Sequence, residues 1–409
     1  MPDKLRAENA LASVILFMKP TNSVYTGLPT TVFEEMSRLA IANEAINLGQ
    51  GFPDVDGPME IREKAAEAVV SGPNQYPPML GIGALTEAVA QTWQRFQGLA
   101  IDPRREVLIT SGATEALSDT INALVEPGDE VVLIEPLYDC YLPLVKRAGA
   151  TPRLVRVTPP DWRLDPDALS AAFSARTKAI LINNPMNPAA KVFGEDELRL
   201  IADLAIRHDA YVIADEVYEH LVFDSGRHIT MLALEGMRER TVAIGSAGKT
   251  FSLTGWKVGY VTAAPKLLDP IAKAHQFTTF TTPPHLQAAV AFGLGMDDAY
   301  FACLASDLQA KRDRLAQACA GLGFGIVPCA GTYFLTVDVA PLDPEADDVA
   351  LARRMTIEAK VAAVPVSAFY SGGPPRNYLR LCFCKKDEVL DEAVERIGGW
   401  LKAASETAA

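Results

Sequence analysis

The stretch AIGSAGKTFSLTGWKVGY, residues 243–260, carries two lysines, Lys249 and Lys257, among small and glycine-rich neighbours. Its Gly-Lys-Thr suggests a nucleotide-phosphate loop. Such a loop needs a further glycine five places before Gly248. That place is Ala243, and Gly245 is too close, so the spacing excludes the loop. A covalent lysine is the other reading. Lys249 follows the apolar run TVAIG (241–245) and sits among small residues. In that setting a lysine can form a Schiff base with an aldehyde cofactor.

Outside this stretch, further β-branched apolar runs occur at EVLIT (106–110), EVVLIE (130–135), RLVRV (153–157), KAILIN (178–183) and AYVIAD (210–215). With TVAIG and KVGYVTA (257–263) they make seven predicted strands. Several are continuously apolar, as expected of strands covered on both faces. Helical patterns lie between many of them, such as GEDELRLIADLAIRHD (194–209), acidic at its start and basic at its end. The expected fold class is α/β, with a mainly parallel seven-stranded sheet and flanking helices. After about residue 300 the texture changes. A helix at about 305–321 precedes GTYFLTVDV (331–339), a helix over 348–360, VAAVPV (361–366), NYLRLCFC (377–384) and a last helix over 386–403. That order predicts a smaller α+β domain. The expected division is an N-terminal segment, 1–55, joining the small domain, a large domain over 56–300, and the small domain over 301–409.

Composition narrows the function. The net charge of −13 comes without any Lys/Arg run, so no nucleic-acid partner is expected, and the acidity reads as solubility. Six cysteines are scattered and none sits in a CxxC pair, which suits a reduced, cytoplasmic protein. Cys382 and Cys384 alternate on a predicted strand and should face the same side. The five histidines are dispersed, so no metal site is expected. The apolar stretch ALASVILFM (10–18) follows Lys4 and Arg6, but Asp3 and Glu8 interrupt the basic region and KPTNS replaces a cleavage site. It is read as no signal peptide. No run is long enough to cross a membrane.

In open α/β sheets, ligands bind beyond the carboxyl ends of the strands. After EVLIT comes SGATEAL (111–117), where the N–H groups of Gly112, Ala113 and Thr114 would open a helix and offer an anion site. After KAILIN comes NPMNPAAKV (184–192), a turn in which Asn187 can present its amide. After AYVIAD comes DEVYEH (215–220). Asp215 there is costly unless it meets a positive partner, although a strand-end acid can also cap a helix. Pyridoxal phosphate needs a lysine, a carboxylate for its ring nitrogen, donors for its phenolic oxygen and a phosphate cradle. Lys249, Asp215, the pair Asn187 and Tyr218, and the 112–114 amides with Ser246 and Lys257 supply each kind.

Together these motifs resemble the fold-type I, class I aminotransferases that use pyridoxal phosphate, most of all the kynurenine/glutamine/methionine branch. The likeness runs through nearly the whole chain. Its specific pieces are NLGQGFPD (47–54), NQYPPMLG (74–81), EPLYDCY (135–141), NNPMNPAAKV (183–192), DEVYE (215–219), GSAGKTFSLTGWKVG (245–259) and YLRLCFCK (378–385). The resemblance implies a homodimer with shared active sites and a ping-pong transfer of an amino group from an L-amino acid to a 2-oxo acid. It gives Lys249 the covalent and proton-transfer role, Asp215 the ring nitrogen, Asn187 and Tyr218 the phenolic oxygen. It puts Ser246, Lys257, Ala113 and Thr114 at the phosphate. Tyr138 would stack on the ring, and Tyr76 would reach the phosphate from the partner subunit. Arg380 would grip the substrate carboxylate with Gly51 backbone beside it, since an arginine fork binds a carboxylate bidentately. Phe33 and Phe280 either line the side-chain pocket or are ordinary core aromatics. Two positions depart from the pattern: Ala190 stands where relatives often carry glycine, and Thr114 where kynurenine-type enzymes tend to carry an aromatic. Carbon–sulfur β-elimination on the same scaffold is the alternative reaction, and a cofactor-binding regulator is the non-enzymatic one. Aromatic amino acids, glutamine, methionine, aspartate and N-succinyl-diaminopimelate all stay open as donors.

Overall fold

The computed structural model describes residues 19–408; the stretch 10–18, read above as no signal peptide, lies outside the described residues. The chain divides into a short unit ending at Thr30 and a large unit beginning at Thr31. In the short unit, Ser23–Thr26 makes one helical turn, and the Asn22 side chain accepts from the Val24 N–H at its start.

Strands of the large unit are numbered along the chain from the two-residue β1, Ile46–Asn47. The main sheet holds β2 (Val107–Thr110), β3 (Glu130–Glu135), β4 (Thr151–Arg156), β5 (Thr177–Asn183), β6 (Tyr211–Asp215), β7 (Thr241–Ser246) and β8 (Gly259–Ala263). Their order is β2-β8-β7-β6-β5-β3-β4. All seven apolar runs form strands of this sheet. Alternate residues feed opposite faces, as the two-residue period of a strand requires. Val131, Leu133 and Ile213 pack into one core, and Val132, Ile134 and Val212 into the other. Burial on both faces is why most of these runs read as continuously apolar; the edge strand β4 is largely exposed.

β8 departs from the expected run. It begins at Gly259, not Lys257, and pairs antiparallel with both β7 and β2. Only residues 247–258 link Ser246 to Gly259, which pair with each other. That link holds a single turn of helix, Ala247–Thr250, and a 3-10 turn. A parallel return needs a crossover, usually a helix, that carries the chain back along the sheet, and these short turns do not, so the chain reverses instead. The reversal holds Lys249 and Lys257 at the same end of the sheet.

Beyond the helix Asp298–Gly321, which starts earlier than the expected 305, the chain forms an antiparallel sheet. Its strands are β9 (Gly325–Ile326), β10 (Phe334–Asp338), β12 (Val364–Pro365) and β13 (Tyr378–Cys382), in the order β12-β13-β10-β9. β11 (Val361–Ala362) pairs in parallel with β1, which ties residues 46–47 to the C-terminal part. Cys382 and Cys384 lie side by side, their sulfurs 3.1 Å apart, both as free thiols. Among the described residues no single helix is long and apolar enough to cross a membrane.

Candidate active site

The carboxyl ends of β2, β3, β5, β6 and β7 and the start of β8 converge on one cavity of about 350 Å³. Each expected site residue lines it except Tyr76 and Phe280.

At the β2 end, Gly112 takes a φ of 80° and starts the helix Ala113–Leu124. Gly259 passes so close that a Cβ there would stand 2.6 Å from the Gly112 carbonyl carbon. The helix start therefore opens into the cavity at Gly112, Ala113 and Thr114. Its free N–H groups and the helix dipole favour an anion at that spot. Ser246 ends β7 beside it. Lys257, held left-handed at φ 55°, lays its side chain against Gly112.

Asp215 ends β6 and is nearly inaccessible to solvent. Burial pushes its carboxyl up to about 6, while a hydrogen bond from the Tyr141 hydroxyl (2.6 Å to Oδ2) and the charge of Lys249 oppose the shift. A cationic ring nitrogen beside it would oppose the shift further. Asn183 braces this corner. Its Nδ2 donates to the Asp215 carbonyl at 2.9 Å, and its Oδ1 accepts from the Asn187 backbone N–H at 2.7 Å. Tyr218 is fully packed, and burial raises its phenol well above the ordinary range. Tyr138 borders the cavity edge-on to Tyr141, with ring centroids 5.7 Å apart.

Lys249 sits in the turn after β7, with Nζ donating to the Tyr333 hydroxyl at 3.0 Å. Tyr333 in turn donates to the Gly51 carbonyl at 2.7 Å. Loss of solvent lowers the affinity of the Lys249 amine for its proton, and Asp215 pulls the other way. The amine is thus easier to neutralise than an exposed lysine, as a base or nucleophile requires.

Arg380, on β13, is buried yet turned into the cavity. Nη1 donates to Asn187 Oδ1 at 2.8 Å and Nη2 to the Gly49 carbonyl at 2.6 Å. Its guanidinium carbon lies 3.9 Å from the Phe334 ring centroid and 5.1 Å from that of Phe33. Burial lowers its pKa to about 10, so it is charged at neutral pH, and its Nε has no hydrogen-bond partner. The bond from Arg380 fixes the Asn187 amide orientation and leaves Asn187 Nδ2 as the donor.

Three placements add detail to the sequence expectation, in which Tyr76 already belongs to the partner subunit's site. The carbonyl held by Arg380 belongs to Gly49; the Gly51 carbonyl is engaged by Tyr333. Tyr76 and Phe280 stand outside this chain's cavity and stack on each other with centroids 5.3 Å apart. The helix Pro265–Thr278 ends just before Phe280, whose φ of 71° turns the ring toward Tyr76 on the outside. Third, the histidines are not all isolated. Glu115, Asp119 and His275 meet between two helices, with ligand atoms within 4.8 Å of one another. His275 Nδ1 lies 2.9 Å from Glu115 Oε1, and Thr278 donates to Asp119 at 2.7 Å. Sequence reasoning also passed over Tyr141 and Tyr333. Tyr141 closes the quoted EPLYDCY, one turn beyond Tyr138, whereas Tyr333 had been read only as part of a strand.

Comparison with known proteins agrees with this geometry. Residues 43–397 match the family described as aminotransferase class I and II. The chain is 44% identical to the probable N-succinyldiaminopimelate aminotransferase of Mycobacterium tuberculosis, over 90% of this chain and 95% of that one. It is 41% identical to the methionine aminotransferase of Escherichia coli, over 90% and 96%. The solved structure of the N-succinyldiaminopimelate aminotransferase from Mycobacterium tuberculosis superposes with a TM-score of 0.90, covering 93% of this chain and all of that one. These relatives are named for amino transfer, and the β-elimination alternative is not favoured. With a lysine, a buried carboxylate and a buried arginine meeting in one cavity, the chain belongs to the class I and II aminotransferases and transfers amino groups.

Proposed function

We propose that the cavity holds pyridoxal 5′-phosphate, that Lys249 carries it covalently between turnovers, and that the donor is an L-amino acid exchanging its amino group with a 2-oxo acid. One observation carries this reading. A single cavity joins the helix start at Gly112–Thr114, the buried Asp215, the Lys249 amine and the Arg380 fork. The donor set fits the cofactor. The helix start, Ser246 and Lys257 suit its phosphate, and Asp215, otherwise a costly buried carboxylate, suits a protonated ring nitrogen. Asn187 Nδ2 and the Tyr218 hydroxyl suit its phenolic oxygen, and Tyr138 its ring face. When bound, the cofactor supplies an electron sink for the Cα–H bond of the amino acid. Asp215 keeps the ring nitrogen protonated. Arg380 holds the α-carboxylate and so fixes which Cα bond is presented. Lys249 Nζ takes the Cα proton as general base and returns it as general acid. Tyr333 holds that Nζ in place between the two acts.

The cations of this chain that line the cavity are then all engaged, Lys257 at the phosphate, Lys249 at Cα and Arg380 at the carboxylate. Phe33, Phe52 and Phe334 face the remaining space. This lining favours a donor with an uncharged side chain, such as methionine, glutamine or an aromatic amino acid. A donor panel with one 2-oxo acid tests it. Higher kcat/KM for aspartate or N-succinyl-diaminopimelate would overturn this part.

We further propose a homodimer, a cytoplasmic location and the domain division at 56–300 and 301–409. Tyr76, 81% exposed, stacks on Phe280 as an exposed aromatic pair of the kind that marks a subunit contact, and Phe277, nearby in sequence, is 86% exposed. From such a contact Tyr76 would serve the partner's phosphate site. Light scattering on the purified protein tests the dimer. Borohydride reduction tests the covalent assignment: the cofactor should be fixed to the peptide containing Lys249, and labelling of Lys257 instead would refute it. Lys249→Ala should keep the cofactor but lose several orders of magnitude in kcat.

A further inference from the structure

The turn DEVYEH (215–220) has two faces. Asp215 and Tyr218 belong to the active-site cavity, while Glu219 and His220 line a second cavity of about 360 Å³. Trp93, Phe96, Tyr260 and Phe301 supply its aromatic wall. Its floor is built from Glu219, His220 and His228, with Glu216 behind. Tyr260 donates to Glu219 Oε1 at 2.7 Å, and His220 Nε2 lies 3.5 Å from the same oxygen.

The floor holds unused hydrogen-bonding capacity. His228 Nδ1 is buried without a hydrogen-bond partner, while His228 Nε2 and Glu216 Oε2 stand 3.3 Å apart and His220 Nε2 3.5 Å from Glu219 Oε1 without forming a well-aligned hydrogen bond. His228 is only 4% exposed. A buried polar group left unpaired is costly, so such a cluster beside open volume marks a binding site.

Charge decides the class of occupant. Two carboxyl groups, Glu216 and Glu219, stand at the floor. Burial drives His220 down to about 3, so it stays neutral. The nearby arginines lie at the rim. Arg227 is exposed, and Arg95 is paired with Asp298 and lies over Phe96 and Phe301, 4.9 and 5.2 Å from the ring centroids. Those rings thus already receive a cation on the rim side. An aromatic wall around carboxylates attracts positive charge, and alkylated ammonium groups are the usual guests of such cages. Inside the rim arginines an anion would meet two carboxyl groups and the neutral His220.

We propose that this second cavity binds a small organic ammonium carrying a hydrogen-bonding group, held by the aromatic wall, the Glu219 carboxylate and the weakly engaged histidine nitrogens. The proposal does not depend on the cofactor or donor assigned to the first cavity.

Choline and 3,3-dimethylbutan-1-ol, which replaces the charged nitrogen with carbon at the same shape, are the probes. Neither forms an imine with the active-site aldehyde. Calorimetric titration of the holoenzyme at pH 8 should show saturable one-to-one binding of choline, and the alcohol should bind about 10–30-fold more weakly. Glu219→Gln should bring choline down to the level of the alcohol. Ala302→Trp, at the exposed rim, should abolish choline binding while amino transfer continues, which keeps the test open if the Glu219 variant does not fold. Arg380→Ala should leave choline binding intact, because the site is not the substrate site. Burial pushes Glu219 up to about 7 against the pull of Tyr260 and His228, with Glu216 adding to the rise. Glu216, His220, His228 and Tyr260 face it, and Arg95, Arg227 and Asp298 stand at the rim. A bound cation favours the ionised carboxyl, so choline should bind more weakly at pH 6 than at pH 8. Equal binding of choline and the alcohol, binding that survives Ala302→Trp, or preferential binding of acetate at this site would each overturn the proposal.

Discussion

Replacing Arg380 by alanine tests the substrate site most directly. The guanidinium is 1% exposed, and two of its N–H groups are committed to Asn187 Oδ1 and the Gly49 carbonyl. Truncation removes the cation that meets the substrate carboxylate. It also leaves two buried acceptors unpaired and bares the Phe334 ring against which the guanidinium lies at 3.9 Å. Losing one partner of a buried, charge-assisted pair costs about 2–5 kcal/mol. The two orphaned acceptors put this site in the upper part of that range. At about 1.4 kcal/mol per decade, kcat/KM for the amino acid should fall roughly 100-fold to several thousand-fold. Arg380→Lys should recover only part of the loss, since a point charge cannot bridge Gly49, Asn187 and a carboxylate as a planar fork does. Cofactor content should be unchanged in both variants, which shows that the fold has survived. The decisive assay compares an amino acid with the amine that lacks only its carboxylate, each followed by the carbonyl product formed. Native enzyme should strongly prefer the amino acid, and Arg380→Ala should lose most of that preference. If the preference survives, another residue reads the carboxylate and the reasoning fails.

Three further outcomes follow from contacts at and near the site. Tyr333→Phe removes the hydroxyl between Lys249 Nζ and the Gly51 carbonyl; at about 1–2 kcal/mol for a buried hydrogen bond, kcat should drop about 5–30-fold with KM little changed. An unchanged kcat would remove Tyr333 from the site. Gly51→Ala would put a Cβ 2.5 Å from Phe334 Cζ, the ring that supports Arg380; overpacking of about 1–3 kcal/mol should appear as a raised KM for the amino acid, read in steady-state kinetics with thermal stability as the control. Asp119 lies against Glu115 and His275, and burial pushes its carboxyl up to about 6, opposed by Thr278. The unfolded chain loses that proton near pH ~4, so the native state holds it more tightly and stability falls as pH rises from about 4 through 6. Asp119→Asn should therefore gain about 1–2 kcal/mol at pH 8 and nothing at pH 4 in denaturant titrations.

What the sequence disclosed and what it withheld divide along contact range. Six of the seven strands were legible because burial on both faces leaves a local signature, a short apolar run, while the largely exposed edge strand β4 showed only the shorter β-branched pattern of RLVRV. The reversal of β8 was not, because direction depends on where the chain crosses the sheet and not on the run itself. Lys249, Asp215 and Asn187 stood out because each closes such a run, and strand ends are where α/β sheets bind ligands. Tyr333 did not stand out. Its hydroxyl meets Lys249 across 84 residues of sequence and Gly51 across 282, and within GTYFLTVDV it has the pattern of any strand aromatic. The Gly49 contact, 331 residues from Arg380, was hidden in the same way, since neither glycine of NLGQG signals which carbonyl will face β13. The Glu115–Asp119–His275 cluster shows the limit from the other side. The histidine is 160 residues from the glutamate, so counting motifs along the chain reported dispersal where the packed helices produce a buried triad. The second cavity is the sharpest case. Glu219 and His220 sit inside a motif quoted for Asp215 and Tyr218, and residues this close in sequence were read as serving one site. The turn instead sends its side chains into two cavities, and aromatic residues of the helix Gly83–Gln97, of β8 and of Asp298–Gly321, far away in sequence, give the second one walls. A motif thus marks where chemistry gathers, whereas the number of sites it serves is decided by what the rest of the chain packs against it.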